Sequence, residues 1–109
     1  MKEIMNQAIA IKEDLINFRR YIHSNPEVGD TLPKTTSYVI DKLKEFGYNP
    51  EEICESGIVA TIAGEEPGKT FLLRADMDAL PIEEEAECEF KSNNGCMHAC
   101  GHDMHTAML

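Results

Sequence analysis

Apolar residues at Ile4, Ala8, Ile11, Leu15, Phe18 and Ile22 recur at alternating steps of four and three, the spacing of one helix face. The pattern predicts one helix from near the start of the chain to Tyr21 or Ile22. Asn25-Pro26 ends it, because proline removes a backbone donor and biases its predecessor away from helical angles. A second helix is predicted from Thr31, with Pro33 in its first turn. Val39, Ile40, Leu43 and Phe46 form its buried stripe, and Gly47 stands where a left-handed residue closes a helix.

The period then changes. Gly57-Ile-Val-Ala-Thr-Ile-Ala-Gly64 is short, β-rich and bounded by glycines, which predicts a strand. Glu65-Glu-Pro-Gly68 reads as a turn and Thr70-Phe-Leu-Leu-Arg-Ala75 as a second strand, paired with the first as a hairpin. Phe71, Leu72 and Leu73 stand in a row, the mark of a strand covered on both faces. Two helices cannot easily cover both faces of such a sheet. The order helix, helix, strand, strand therefore reads as the opening of an α/β domain rather than a finished one. Thr106-Ala-Met-Leu109 begins a third helix, without a cap or a polar tail. Residues 1–109 are accordingly expected to be the N-terminal piece of a longer protein.

Charge and composition narrow the partners. With 20 acidic and 10 basic residues the net charge is −10, which disfavours nucleic acid and anionic membrane. The 42% apolar content is that of a folded domain. No run approaches the roughly 18 apolar residues of a membrane span. The stretch MKEIMNQAIAIKEDL, broken by Glu13 and Asp14, is not a signal peptide, so a reducing cytoplasm is expected. Cys54 and Cys88 then read as free thiols, and Glu83-Glu84-Glu85 as a solvated loop.

One stretch concentrates chemistry. Cys96-Met-His-Ala-Cys-Gly-His-Asp-Met-His105 holds two cysteines, three histidines and an aspartate in ten positions, while the whole chain has four cysteines and four histidines. Thiolate and imidazole are the usual soft pair of metal donors. No Cys-x-x-Cys pair or second knuckle is present, so an open, partial site fits better than a closed structural one. Gly101 permits the sharp turn that lets Cys100 and His102 reach one point. Asp103 has two readings, a helix cap or an acceptor behind a ligand histidine. Cys96 reads as a packed thiol and His105 as a packed or surface histidine, while His98 suits an orienting or substrate-facing role. For Cys100 and His102, spacing alone leaves ligation and a structural role evenly balanced.

A second constellation precedes the first. Arg74-Ala-Asp76-Met-Asp78-Ala-Leu-Pro81 puts two carboxylates two residues apart at the end of the predicted second strand, where α/β sheets bind ligands. Alternation points both the same way if the strand continues, and Arg74 is placed to offset them. The alternative is that Asp78 merely starts the turn before Pro81.

Three segments now occur in order: Arg19-Arg-Tyr-Ile-His-Ser-Asn-Pro-Glu27, Arg74-Ala-Asp-Met-Asp-Ala-Leu-Pro-Ile82 and Met97-His-Ala-Cys-Gly-His-Asp-Met-His-Thr-Ala-Met-Leu109. Together they resemble the opening third of the M20 family of metallopeptidases and amidohydrolases. The subfamily they resemble contains N-acyl-amino-acid amidohydrolases, hippurate hydrolases and auxin-conjugate hydrolases. The resemblance implies the opening part of a zinc-peptidase-like catalytic domain, incomplete at 109 residues.

It also implies that Cys100 and His102 are metal ligands, the cysteine replacing a bridging aspartate of related peptidases. Asp78 matches the aspartate of the catalytic motif, which orients ligands and tunes the base. Asp76 stands where related subfamilies carry a ligand histidine, and His102 compensates. His23 is expected to build the structure behind the site. Where many relatives carry an acidic pair, this chain has Thr31-Leu32. The remaining ligands, a glutamate and two histidines, the general-base glutamate and the dimer domain all lie downstream in the family.

The implied activity of the complete protein is hydrolysis of the amide bond of N-acyl amino acids or small peptides. The implied cofactors are two divalent ions, zinc, manganese, nickel or cobalt, in a homo-oligomer. The 109-residue chain alone is expected to be inactive and to self-associate. Two rival readings are a self-contained metal-binding or regulatory module, which would bury its last apolar residues, and a redox switch through Cys96 and Cys100.

Overall fold

The N-terminal apolar period produces two helices rather than one. The computed structural model describes residues 1–109 and begins with α1 (Lys2–Ala10) and α2 (Lys12–Ser24). They part at Ile11, where ψ opens to 5°. Ile11 N–H still reaches Gln7 O at 3.3 Å and Leu15 N–H reaches Ile11 O at 3.1 Å, so the junction is a kink in a continuing ladder. The stripe is buried only at its end. α1 buries no residue, because nothing packs over it, whereas Ile22 and His23 of α2 are buried.

Helix α3 (Pro33–Glu45) starts two residues later than the pattern predicts, with Pro33 in its first turn. Its free N–H groups are capped from a distance by Glu27. That carboxylate accepts Lys34 N–H at 3.1 Å, Thr35 N–H at 2.7 Å and the Thr35 hydroxyl at 2.8 Å. At the other end Gly47 is left-handed (φ 85°), Gly47 N–H reaches Lys44 O and Tyr48 N–H reaches Leu43 O. This is the Schellman closure that Gly47 predicts. Val39, Ile40 and Leu43 are half-buried, but Phe46 is exposed and meets Phe18 edge-on at 6.0 Å.

The hairpin is displaced along the chain. Strand β1 (Glu51–Cys54) pairs antiparallel with β2 (Gly57–Val59), with Glu51 opposite Val59 and Cys54 opposite Gly57. The strand starting at Gly57 thus exists, but it is shorter than predicted and pairs backwards. Its partner is Glu51-Glu-Ile-Cys54, whose acidic pair hides a strand from pattern reading. A two-residue connection, with Ser56 at φ 56°, closes it locally. The Ser56 hydroxyl then accepts Leu32 N–H at 2.7 Å and ties the hairpin to the entry of α3. Residues 70–75 form no strand, and Phe71, Leu72 and Leu73 are 82%, 88% and 74% exposed. Expected to be covered on both faces, they are covered on neither, since no other segment of the chain lies alongside them.

Short backbone bridges hold the segment between Asp78 and the cysteine–histidine cluster. Val28 pairs with Ala79, and Leu80 pairs with Met97 through two hydrogen bonds of 2.9 and 3.0 Å. Residues 79–80 are therefore gripped on both sides, which fixes Asp78 at one end and the run into Cys100 at the other. Helix α4 (His102–Met108) closes the chain and packs against α2. Seven of the 11 buried residues are polar or charged, so the interior beside this helix is organised by polar contacts as much as by apolar ones. No helix is long and apolar enough to cross a membrane.

Candidate metal-binding site

Gly101 takes φ 87° and caps α4 without a side-chain bond, receiving Met104 N–H at 3.1 Å and His105 N–H at 3.2 Å. This is the turn that the Cys100-Gly-His102 spacing predicts, and glycine is the residue that adopts it without strain. His102, at the start of the helix, turns its Nδ1 toward Asp78. The carbonyl and the Oδ1 of Asp78 both lie 2.9 Å away. Both are acceptors, so Nδ1 is the donor and Nε2 is left without a partner in the chain. A carboxylate holding one imidazole nitrogen so that the other faces a metal is the usual arrangement behind metal-binding histidines.

Asp78 and His102 line one open cleft of ≈ 450 Å³ with Asp30, Glu55, Arg74 and Asp76. Four carboxylates against one guanidinium make its field favourable to cations. Arg74 pairs with Asp76 alone, at the exposed rim, and leaves Asp78 to His102. Asp76 and Asp78 thus reach the same cleft, though no strand carries them there. Thr106 of α4 donates to Asp76 O at 3.0 Å, a second tie between that helix and the aspartate segment.

The remaining residues of the cluster separate. Cys100 is exposed, Cys96 is half-buried, and all four cysteines are free thiols. His105 is exposed, its ring 6.1 Å from that of His102. No group of three or more His, Cys, Asp or Glu side chains converges as a complete coordination set. Of the two expected donors, His102 lines the cleft and Cys100 does not, and two donors would fill only half of a tetrahedral shell.

Behind the cleft lies a buried ionic chain. Asp103 is completely buried and accepts from Arg19 Nε and His23 Nδ1, both at 2.7 Å. His23 Nε2 lies 2.7 Å from Glu84 Oε1, and Glu84 Oε2 accepts Ser92 N–H at 2.7 Å. Both ring nitrogens of His23 face carboxylate oxygens at hydrogen-bond distance. Arg19 Nη2 approaches Nδ1 at 3.2 Å, two donors held together by their shared acceptor Asp103. The Arg19 guanidinium and the His23 ring thereby face two buried carboxylates. Burial pushes the Glu84 carboxyl up, but the bonds from His23 and Ser92 outweigh it and hold the pKa below the ordinary value.

His98 contrasts with His23. It is buried, and neither ring nitrogen has a partner. Burial lowers its pKa, against a smaller opposing pull from Asp103, so the ring is neutral at pH 7. Its surroundings are Asp103, His23, His102 and Asp78, which places it behind the cleft rather than in it.

Two expectations need correction. Asp103 neither caps α4 nor backs a cluster histidine; it is drawn inward by Arg19 and His23 of α2. Glu84 is not part of a solvated loop, because His23 and Ser92 bind it while Glu83 and Glu85 stay exposed. Arg19 and His23, four apart on one helix, were the legible trace of this chain. The acidic run gave no trace of which glutamate turns inward.

Comparison with known proteins extends these observations. Residues 72–109 match peptidase family M20/M25/M40. The chain is 44% identical, over 99% of its length, to an N-acyl-L-amino acid amidohydrolase of Geobacillus stearothermophilus, of which it covers 30%. It is 41% identical, over 97% of its length, to a hippurate hydrolase of Campylobacter jejuni, of which it covers 28%. The backbone superimposes with a TM-score of 0.84 and 40% identity on a dinuclear metal-binding M20 peptidase of Bacillus subtilis, covering 90% of this chain and 28% of that one. The chain thus spans less than a third of the length of these relatives.

Proposed function

We propose that this chain, M20-like in sequence and backbone over the stretch it shares with those relatives, is the N-terminal portion of a metal-dependent amidohydrolase domain. In this reading Cys100 and His102 are metal ligands and Asp78 is the residue that orients His102. The observation that carries it is the His102 ring, pinned through Nδ1 by Asp78 with Nε2 left free. Two divalent ions at such a centre would supply a water of lowered pKa and a polarised carbonyl. The chain's own part is to hold the imidazole tautomer, present the Cys100 thiol at the surface and surround the cleft with carboxylates. Softness favours zinc, while geometry and availability also decide, so the proposal includes manganese, nickel and cobalt.

The substrate class proposed for the complete protein is the small N-acyl amino acid or peptide, in a homo-oligomer. The 109-residue chain alone is inactive in this reading. No three His, Cys, Asp or Glu side chains converge in it, and Glu83, Glu85, Glu87 and Glu89 are all exposed. Missing a positioned general base alone costs roughly two to four orders of magnitude. A self-contained module would bury its final apolar residues, but Met104, Met108 and Leu109 are exposed, which favours the first reading.

Metal titration of the chain against Cys100→Ser and His102→Ala tests the ligands. Each variant is expected to weaken binding at least tenfold, and equal affinity in all three rejects the assignment. Hydrolysis of hippurate or an N-acetyl amino acid by the 109-residue chain, abolished by a chelator, would show the rest of the domain to be dispensable.

A further inference from the structure

Helix α4 has seven residues, too few to hold a helix unaided in water. It has no side-chain cap at its start, and its one buried residue is Asp103. A carboxylate therefore stands where a packed helix ordinarily has an apolar anchor. Apolar burial is non-directional, so an aliphatic residue there would hold α4 down without fixing its rotation. Charge-assisted hydrogen bonds fix direction as well as depth. Asp103 makes two, to Arg19 and His23, and His23 passes the anchorage on to Glu84, which in turn holds Ser92 N–H. Three separate segments meet at one imidazole.

Successive positions on a helix are about 100° apart, so fixing where Asp103 points also fixes where His102 points. His102 is the residue that must meet Asp78 at 2.9 Å with its Nε2 outward. We propose that the buried Arg19–Asp103–His23–Glu84 chain is a positioning device that sets the rotation of α4 and thereby holds His102 on Asp78. The consequence for metal binding rests on the reading of Cys100 and His102 as ligands; the consequence for His102 itself does not. None of the four residues lines the cleft, so they act through His102 and are positioning residues.

The test compares three variants of the 109-residue chain. His23→Phe keeps a planar aromatic ring, somewhat larger than imidazole, and removes both hydrogen bonds. Glu84→Gln is gentler, weakening only the far end of the chain. Ile22→Ala removes a neighbouring core contact on the same helix and leaves the ionic chain intact. One readout is solvent exchange of the His102 Nδ1 proton by NMR, and the other is cobalt(II) titration followed by thiolate-to-metal absorbance.

His23→Phe is expected to speed proton exchange at least tenfold and to weaken cobalt binding by about 10–100-fold, the usual effect of removing support behind a ligand. Glu84→Gln should move both in the same direction by less, and it carries the test if His23→Phe does not fold. Ile22→Ala should lower Tm and leave both readouts in place. Unchanged exchange in a folded His23→Phe, or equal changes in Ile22→Ala, overturns the proposal. If the parent chain shows no Cys100-dependent cobalt absorbance, the ligand assignment fails. The positioning role then stands or falls on the proton readout alone.

Discussion

Residues 60–75 and residues 76–108 lie next to each other in the chain and are held in opposite ways. The first stretch contains Phe71-Leu-Leu73, the mark of a strand covered on both faces, yet it forms no strand and these three side chains are exposed. The second has little regular structure before α4, yet it is gripped by backbone bridges at Ala79 and Leu80 and by the chain from Asp103 to Glu84. Apolar character states a need for burial but names no partner. A buried carboxylate does name one, because leaving it unpaired is costly. The polar stretch is for that reason the better-defined one.

The comparison breaks most sharply at Asp103. Asp103→Ala leaves the buried His23 and the part-buried Arg19 without their shared acceptor. Removing one partner of a buried ionic set costs about 3–5 kcal/mol, and Arg19 can turn partly to water, so the lower end applies. In thermal unfolding this should lower Tm by more than about 10 °C. A loss below about 1 kcal/mol would mean that α4 is held by something other than its carboxylate.

Acid probes the same chain without mutation. The Glu84 pKa is lowered in the folded chain from an ordinary 4.5. The unfolded chain therefore takes up that proton first as pH falls. The contribution is complete above about pH 4.5 and is lost as pH drops through the folded pKa. Glu84→Gln should flatten this part of a stability-against-pH curve, measured by urea unfolding at successive pH values. An unchanged curve would show that Glu84 is not what couples the fold to acid.

The same contrast sets how far the sequence could be read. The helices were legible because their period, Pro33 and Gly47 are local signals, and Gly101 was legible because one backbone turn demanded it. For Cys100 and His102, spacing alone left ligation and a structural role evenly balanced, and the ligand reading came from the resemblance. The partner of Gly57–Val59 was not legible, because Glu51 and Glu52 disguise a strand whose pairing is decided by a tight turn at Ser56. Nor was the inward turn of Glu84, since three successive glutamates look alike until His23 arrives from 61 residues away.

A smaller effect lies at Glu27. Its carboxylate meets two N–H groups and a hydroxyl at the start of α3, a cap supplied from outside the helix. Glu27→Ala should cost about 1 kcal/mol, the usual value of a lost N-terminal cap. Lys34→Ala would leave the cap intact, because only the backbone of Lys34 is used. Denaturant midpoints of the two variants should differ; coincidence would place the cap's contribution near zero.

The smallest effect on stability is expected where the apolar signal is strongest. Phe71 and Leu72 are more than four-fifths exposed, so changing both to serine removes almost no burial within the chain. Surface changes of this kind stay within about 0.5 kcal/mol each. Their effect should appear in association instead. A segment with unpaired backbone groups and three exposed apolar side chains is the kind of surface that pairs with another chain. Light scattering on the 109-residue chain should show growth in mass with concentration, and Phe71→Ser/Leu72→Ser should suppress it with Tm unchanged. If the parent chain remains a monodisperse monomer at high concentration, exposure of this stretch has no cost in association. If instead the double variant unfolds several degrees lower, residues 60–75 are packed against the chain and the contrast between the two regions disappears.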